Sequence, residues 1–327
     1  MPPGLPGRPS APTRGLPGGT PLRTVVRMPR AASAPTRYRR PVCAVVASAV
    51  LLLGAGCSGG SSPDGPRESR QDGPSSAGPS YPSAGPLEGP YEVRTQTVGP
   101  DDVGGRFRGG TVYYPADGSR DYGVIAASPG LGADQSMVQA YGALLASHGF
   151  VLITFDTKTP QDSPAQRGRQ MLDALDWAAE HSAAAGRADP DRLGVMGHSM
   201  GGGAALHAAS RDPRIKAAVP LTPYAGKRDW SGVTAATLVV SGSDDEVAPP
   251  SGHARAFYDG LDDAKEKAYL ELKGDHFVAT PPDRLVSRQT VAWFKHFVGG
   301  DKAAGEDLCP APREERVVAS RDTCPYG

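Results

Sequence analysis

Residues 197–201 read Gly-His-Ser-Met-Gly, a Gly-X-Ser-X-Gly pattern in which the hydroxyl of Ser199 could act as a nucleophile. The pattern is weak by itself, because the chain holds 42 glycines and residues 56–60 match it as well. Ser199, however, lies between an apolar run, 193–196, and a helix-forming run, 203–209. That order is the strand, turn and helix of a nucleophile elbow, so we predict that Ser199 is a catalytic nucleophile.

A serine nucleophile needs a base that takes its proton and an acid that orients the base. In α/β-hydrolases both follow the nucleophile in the chain, the acid before the histidine. Of the later histidines, only His276 lies in a loop directly after a strand-like run, 268–272. The others fall in helix-forming stretches: His207, His253 and His296. We therefore predict that His276 is the base.

Acidic residues follow the strand-like run 237–241, where the acid of such a triad belongs. Three of them qualify on position: Asp244, Asp245 and Glu246. Position alone does not choose between the two aspartates.

Acyl transfer also needs main-chain N–H groups that face the oxyanion formed on the substrate. One is the N–H of Met200, directly after the nucleophile. The loop 128–132, Ser-Pro-Gly-Leu-Gly, follows an earlier strand-like run and supplies Leu131 as the second donor. This chemistry requires no cofactor.

A framework of alternating strands and helices must bring these residues together. From residue 89 onward, short apolar runs alternate with helical patterns, the order that gives a largely parallel sheet covered by helices. The strand-like runs are 92–98 and 110–114, interpreted as antiparallel edge strands, then 123–128, 150–155, 193–196, 217–220, 237–241 and 268–272. Apolar residues at helical spacing indicate covering helices around Met171 and Trp293. We predict the α/β class and, within it, the α/β-hydrolase fold: a mostly parallel central sheet flanked by helices.

Composition divides the chain into three parts. We expect residues 1–57 to be an N-terminal extension with a signal peptide, 58–88 a disordered Ser/Gly/Pro-rich tether, and 89–327 the catalytic domain. The whole chain has no net charge, but eight arginines and no acidic residue fall in residues 1–57. The rest of the chain has 27 basic and 35 acidic residues, a net charge of −8, which argues against nucleic-acid binding.

An export signal is predicted to end near Cys57. Arginines precede the apolar run 42–53, which Gly-Ala-Gly and Cys57 follow, and a start at Met28 would give a signal of ordinary length. The run is far shorter than the roughly 20 residues of a membrane span. Small residues before a cysteine resemble a bacterial lipobox, so we expect a lipid anchor at Cys57, with plain secretion as the alternative.

Whether the protein is anchored or secreted, Cys309 and Cys324 reach an oxidising compartment and should pair.

These motifs resemble those of the actinobacterial cutinase and polyester-hydrolase family, lidless α/β-hydrolases related to bacterial lipases, some of which degrade poly(ethylene terephthalate). The resemblance covers residues 89–327. Its landmarks are Gly-Pro-Tyr at 89–91, Tyr-Tyr-Pro at 113–115, Ser-Pro-Gly at 128–130, Ser-His-Gly-Phe at 147–150, Gly-His-Ser-Met-Gly-Gly-Gly at 197–203, Pro-Leu-Thr-Pro at 220–223, Val-Ala-Pro at 247–249 and His-Phe at 276–277.

The resemblance implies a choice of acid and a substrate cleft. The family places its acid two residues before the hydrophobic residue of Val-Ala-Pro, which selects Asp245, and it pairs the last two cysteines. Its cleft would be lined here by Leu131, Met200, Tyr224, Val247 and Phe277. Polyester-degrading members usually carry Tyr in place of Leu131 and Trp in place of Tyr224. Losing that stacking should weaken aromatic polyester binding without abolishing ester hydrolysis.

The sequence thus predicts an exported serine hydrolase that cleaves cutin-like or synthetic polyesters and acyl esters through a Ser-His-Asp triad and an acyl-enzyme. The alternative is a carboxylesterase or lipase acting on soluble short-chain or glyceride esters. A catalytically silent surface binding protein is a remote alternative, because no triad member is missing. We expect a monomer, with membrane contact only through Cys57. We expect no metal, since Ser243 stands where relatives with a calcium site carry a carboxylate.

Overall fold

The computed structural model describes residues 87–117 and 121–327, so the predicted signal peptide, Cys57 and nearly all of the predicted tether lie outside the described residues. In the described parts a single sheet has nine strands. They are β1 Val93–Val98, β2 Gly110–Pro115, β3 Tyr122–Ser128, β4 Phe150–Phe155, β5 Ala188–His198, β6 Ile215–Leu221, β7 Ala236–Gly242, β8 Lys267–Leu272 and β9 Val317–Asp322.

The strand order is β1-β2-β4-β3-β5-β6-β7-β8-β9. From β4 to β8 every neighbouring pair is parallel, whereas β1, β2 and β9 pair antiparallel at the two edges. The predicted α/β-hydrolase fold, with a mostly parallel sheet and an antiparallel start, is confirmed. The sequence missed β9 because its side chains are mostly exposed and form no apolar run.

Within residues 87–117 and 121–327, five α-helices cover the two faces of the sheet. They are α1 Gln139–Ser147, α2 Pro164–His181, α3 Met200–Ala209, α4 Ala254–Asp259 and α5 Arg284–Phe297. One hydrophobic core packs α2, α3 and α4 against one face, and a second packs α1 and α5 against the other. Successive residues of β3 alternate between them: Val124 belongs to the first core and Ile125 to the second. Strands buried on both faces explain the continuous apolar runs in the sequence.

Parallel strands bring their carboxyl ends to the same edge of the sheet, and the predicted site residues lie there. Leu131 follows β3, Ser199 follows β5, Asp245 follows β7 and His276 follows β8. Near the end of the chain, Cys309 and Cys324 form a disulfide, and the loop that it closes ends just after β9. Among the described residues, no helix is both long and apolar enough to cross a membrane.

Candidate active site

Ser199 occupies a sharp turn between β5 and α3. Its φ of 55° and ψ of −118° are unusual for a residue with a Cβ, and such a conformation costs about 1–3 kcal/mol. Glycines make the turn possible, since a Cβ at Gly201 would lie 2.1 Å from the Ser128 carbonyl oxygen and one at Gly197 would lie 2.6 Å from the Gly201 carbonyl. Only the Gly-X-Ser-X-Gly spacing lets the strand and the helix approach this closely.

Main-chain hydrogen bonds hold the strained turn in place. The N–H of Ser199 donates to the carbonyl of Leu221 at 2.9 Å. Its carbonyl accepts from the N–H groups of Gly203, at 3.0 Å, and Tyr224, at 2.9 Å. The turn is therefore fixed to the end of β6 and to the loop that follows it.

His276 and Asp245 form a buried hydrogen-bonded pair. Nδ1 of His276 donates to Oδ2 of Asp245 at 2.7 Å. The other carboxylate oxygen accepts from the N–H groups of Val247, at 2.9 Å, and Ala248, at 2.7 Å. With its proton on Nδ1, a neutral His276 keeps Nε2 as an acceptor, which is the form that a general base needs.

The electrostatics of Asp245 keep it ionised. Burial alone would raise the pKa of this carboxyl group, but the hydrogen bonds from His276 and from the Ala248 and Val247 amides outweigh burial. The pKa of Asp245 therefore lies below its ordinary value. An ionised Asp245 can stabilise an imidazolium on His276 when the base accepts a proton.

Only one of the three candidate acids and one of the four candidate histidines form a hydrogen bond with each other. Asp244 and Glu246 point to solvent, and of the three acids it is Asp245 that contacts His276. The three other candidate histidines contact different groups. His207 lies against Trp230, His253 stacks on Tyr224, and His296 contacts the carbonyls of Asp301 and Gly327.

The predicted nucleophile, base and oxyanion loop lie close to one another, as two neighbouring contacts indicate. The ring of His198, which precedes Ser199, lies 4.7 Å from the ring of His276 between centroids. A Cβ added to Gly130 would lie 3.1 Å from the Cβ of Ser199. Leu131, the next residue, therefore stands beside the nucleophile, as does Met200, the first residue of α3.

Arg167 supports the oxyanion loop and was missed by the sequence analysis. Its side chain is 0% exposed and donates to three main-chain carbonyls, those of Pro129 at 3.1 Å, Pro160 at 2.6 Å and Asp162 at 2.8 Å. Gly132 donates its N–H to the same Pro160 carbonyl, at 2.9 Å. Its sequence position could have indicated burial, because Arg167 lies on the apolar side of α2, one turn before Met171.

Exposed apolar side chains lie around the predicted triad. Leu131 is 57% exposed, Val247 58% and Phe277 52%, and these are three of the four large hydrophobic side chains exposed in the described parts of the chain. Phe277 stacks on His198 at 5.3 Å, and Tyr224 stacks on His253 at 4.9 Å. An apolar rim of this kind marks a surface that binds an apolar partner or substrate.

A metal site is not evident in the described ranges, where no group of three or more His, Cys, Asp or Glu side chains could hold a metal ion. The hydroxyl of Ser243 donates to the carboxylate of Asp244.

Comparison with known proteins decides the family. The family model described as PETase: PET hydrolase-like matches residues 67–325 of this chain. The chain belongs to the PET hydrolase-like family. The protein is therefore an ester hydrolase, as the sequence predicted.

Curated relatives of this family member agree with that assignment. A bis(hydroxyethyl) terephthalate hydrolase of Streptomyces coelicolor is 41% identical over 298 residues, which cover 88% of this chain and 93% of the relative. Cutinase 2 of Thermobifida cellulosilytica is 43% identical over 244 residues, covering 73% of this chain and 92% of the relative. Cutinase est1 of Thermobifida alba is 41% identical over 247 residues, covering 73% and 82%.

Proposed function

We propose that this protein hydrolyses carboxylic esters of cutin-like or synthetic polyesters, and smaller acyl esters, through a triad of Ser199, His276 and Asp245. The observation that carries the proposal is the buried hydrogen bond from His276 Nδ1 to Asp245, formed beside a serine in a strained strand-to-helix turn. A structural serine turn has no need of a histidine–aspartate pair at its side.

The reaction is acyl transfer in two stages. His276 takes the proton of Ser199 as its oxygen attacks the ester carbonyl, and the imidazolium then protonates the leaving alcohol. The N–H groups of Leu131 and Met200 stabilise the tetrahedral oxyanion. Water repeats the sequence on the acyl-enzyme and releases the acid, so the chemistry needs no cofactor.

The apolar rim supports an extended, water-insoluble substrate. Leu131, Val247 and Phe277 expose large apolar surfaces next to Ser199, which suits a polymer chain lying across the site. The names of the relatives, cutinases and a bis(hydroxyethyl) terephthalate hydrolase, support polyesters and their ester fragments as the substrate class. Leu131 and Tyr224 offer less aromatic stacking than Tyr and Trp, so aromatic units should bind less tightly here.

We also infer that the enzyme is exported. The arginine-rich segment, apolar run and Cys57 support a signal peptide with lipid attachment, and residues 58–88 would then tether a catalytic domain of residues 89–327 to the membrane. The disulfide between Cys309 and Cys324 fits an oxidising compartment. Labelled palmitate should be incorporated by the wild type but not by Cys57→Ala.

A substrate panel tests the proposed activity. The purified protein should hydrolyse p-nitrophenyl butyrate, cutin, bis(hydroxyethyl) terephthalate and polyester film, and Ser199→Ala should hydrolyse none of them. Ser210→Ala, at the other end of α3, is the matched control and should keep full activity. Hydrolysis of soluble short-chain esters alone would contradict the polyester assignment and favour a carboxylesterase.

A further inference from the structure

The main-chain carbonyl of His276 accepts two side-chain hydrogen bonds. The hydroxyl of Thr222 donates at 2.9 Å, and Nε2–H of His198 donates at 2.9 Å. Each donor residue is 1% exposed. They come from different strand ends, because His198 ends β5 and Thr222 directly follows β6. Both lone pairs of this carbonyl oxygen are therefore in use.

Thr222 has a backbone conformation that its side chain disfavours. Its φ is 38°, and in the described parts of the chain Ser199 is the only other non-glycine residue with positive φ. A β-branched residue is an outlier there, whereas glycine adopts such angles without steric cost. Glycine has no hydroxyl. The N–H of Thr222 donates to Val240 on β7 at 2.7 Å, which helps to hold the strained residue in place.

His198 is suited to the same task. A carbonyl can only accept, so the ring proton must be on Nε2, and Nδ1 has no hydrogen-bond partner among the described residues. Burial lowers the pKa of His198 to about 4, so the ring remains neutral with this single proton at neutral pH. The ring therefore acts as a fixed donor to the His276 carbonyl.

We propose that Thr222 and His198 are positioning residues whose two hydrogen bonds hold the His276 loop so that the base faces Ser199. The proposal rests on the proposed triad. Ser199 donates its N–H to Leu221, the neighbour of Thr222, so one short segment contacts both the nucleophile and the base. Small displacements matter here, since proton transfer needs Nε2 within hydrogen-bond reach of the serine oxygen.

Thr222→Val tests the hydroxyl while keeping the side-chain shape. In the full chain we expect kcat for p-nitrophenyl butyrate to fall about tenfold, with KM changed by less than about twofold, because misplacing a catalytic group slows chemistry more than binding. Thr222→Ser keeps the donor and should restore kcat. Thr237→Val is the matched control and should keep full activity, because Thr237 on β7 is equally buried and donates to the Ala235 carbonyl just before that strand, away from the loop.

Three further variants keep the test decisive. Thr222→Gly removes the hydroxyl and the strain together, so it should fold even if Thr222→Val does not, and it should show the same loss of kcat. His198→Gln retains an N–H donor and should keep more activity than His198→Leu.

The results separate the two proposals. Unchanged kcat in both Thr222→Val and Thr222→Gly would overturn the positioning role, even if Ser199→Ala is inactive. Activity in Ser199→Ala would overturn the triad itself, whatever the Thr222 variants do.

Discussion

At the scale of single residues, the proposed chemistry depends on which carboxylate contacts His276. Three acidic residues stand side by side after β7, and only the middle one, Asp245, is buried against His276. Its second oxygen is held by two main-chain N–H groups, so the carboxylate cannot rotate without losing them. The local sequence does not distinguish Asp245 from its acidic neighbours, whereas their contacts in the folded chain do.

Asp245→Asn should lower kcat by about 10³-fold or more, because the amide no longer holds the productive tautomer of His276 or stabilises its protonated form. The measurement is steady-state hydrolysis of p-nitrophenyl butyrate. Asp244→Asn is the control, since it makes the same change on the adjacent exposed residue and should keep nearly full activity. A larger loss in Asp244→Asn than in Asp245→Asn would refute the assignment.

At the scale of elements, loops at the carboxyl edge of the sheet are held by buried polar side chains. Arg167 of α2 binds the loop that carries Leu131, and Thr222, after β6, binds the loop that carries His276. Each contact joins segments that are far apart in the chain: 38 residues from Arg167 to Pro129 and 54 from Thr222 to His276.

Arg167→Met should destabilise the protein by about 3 kcal/mol or more, because it leaves three buried carbonyls without their donor. It should also lower kcat, since the oxyanion loop loses its support. Urea denaturation and initial rates would measure the two effects. Arg169→Met, two residues along the same helix and exposed, should change neither. Equal stability in the two variants would show that Arg167 does not hold the loop.

Local patterns in the sequence predicted most of this framework. Strand-like runs placed eight of the nine strands, and the clearest were those buried on both faces, which have no polar alternation. They could not predict β9, whose exposed edge position leaves a mixed sequence. The strand-turn-helix context singled out Ser199, and chain order with loop position singled out His276. Helical spacing could have marked Arg167 as buried, but the partners of Arg167 and of Thr222 lie on distant segments and could not be predicted from local patterns.

At the scale of the whole molecule, histidines that are wholly or partly buried couple folding to pH. Burial is the main cause that lowers the pKa of four of them: His148, His198, His207 and His253. For His198 and His207 the pKa falls to about 4. In the unfolded chain an imidazole binds its proton near pH 6.5. Between these values the unfolded state binds more protons than the folded state, so stability falls as pH falls.

The free energy of unfolding should therefore drop by about 2 kcal/mol between pH 7 and pH 4.5, allowing for solvent screening of the partly exposed rings. Urea denaturation at a series of pH values would measure the slope. His207→Gln should flatten it, whereas His181→Gln, at an exposed position, should not. Stability that is constant or rises toward pH 4.5 would contradict this account.

Covalent labelling of Ser199 tests the central claim most directly. A p-nitrophenyl phosphonate ester should transfer one phosphonyl group to each chain, with loss of esterase activity in proportion, because a serine activated by His276 attacks phosphorus as it attacks an ester carbonyl. Peptide mass spectrometry should find the group on Ser199, and Ser199→Ala should remain unlabelled and inactive. Label on another residue, or ester hydrolysis that persists in Ser199→Ala, would contradict the proposed triad.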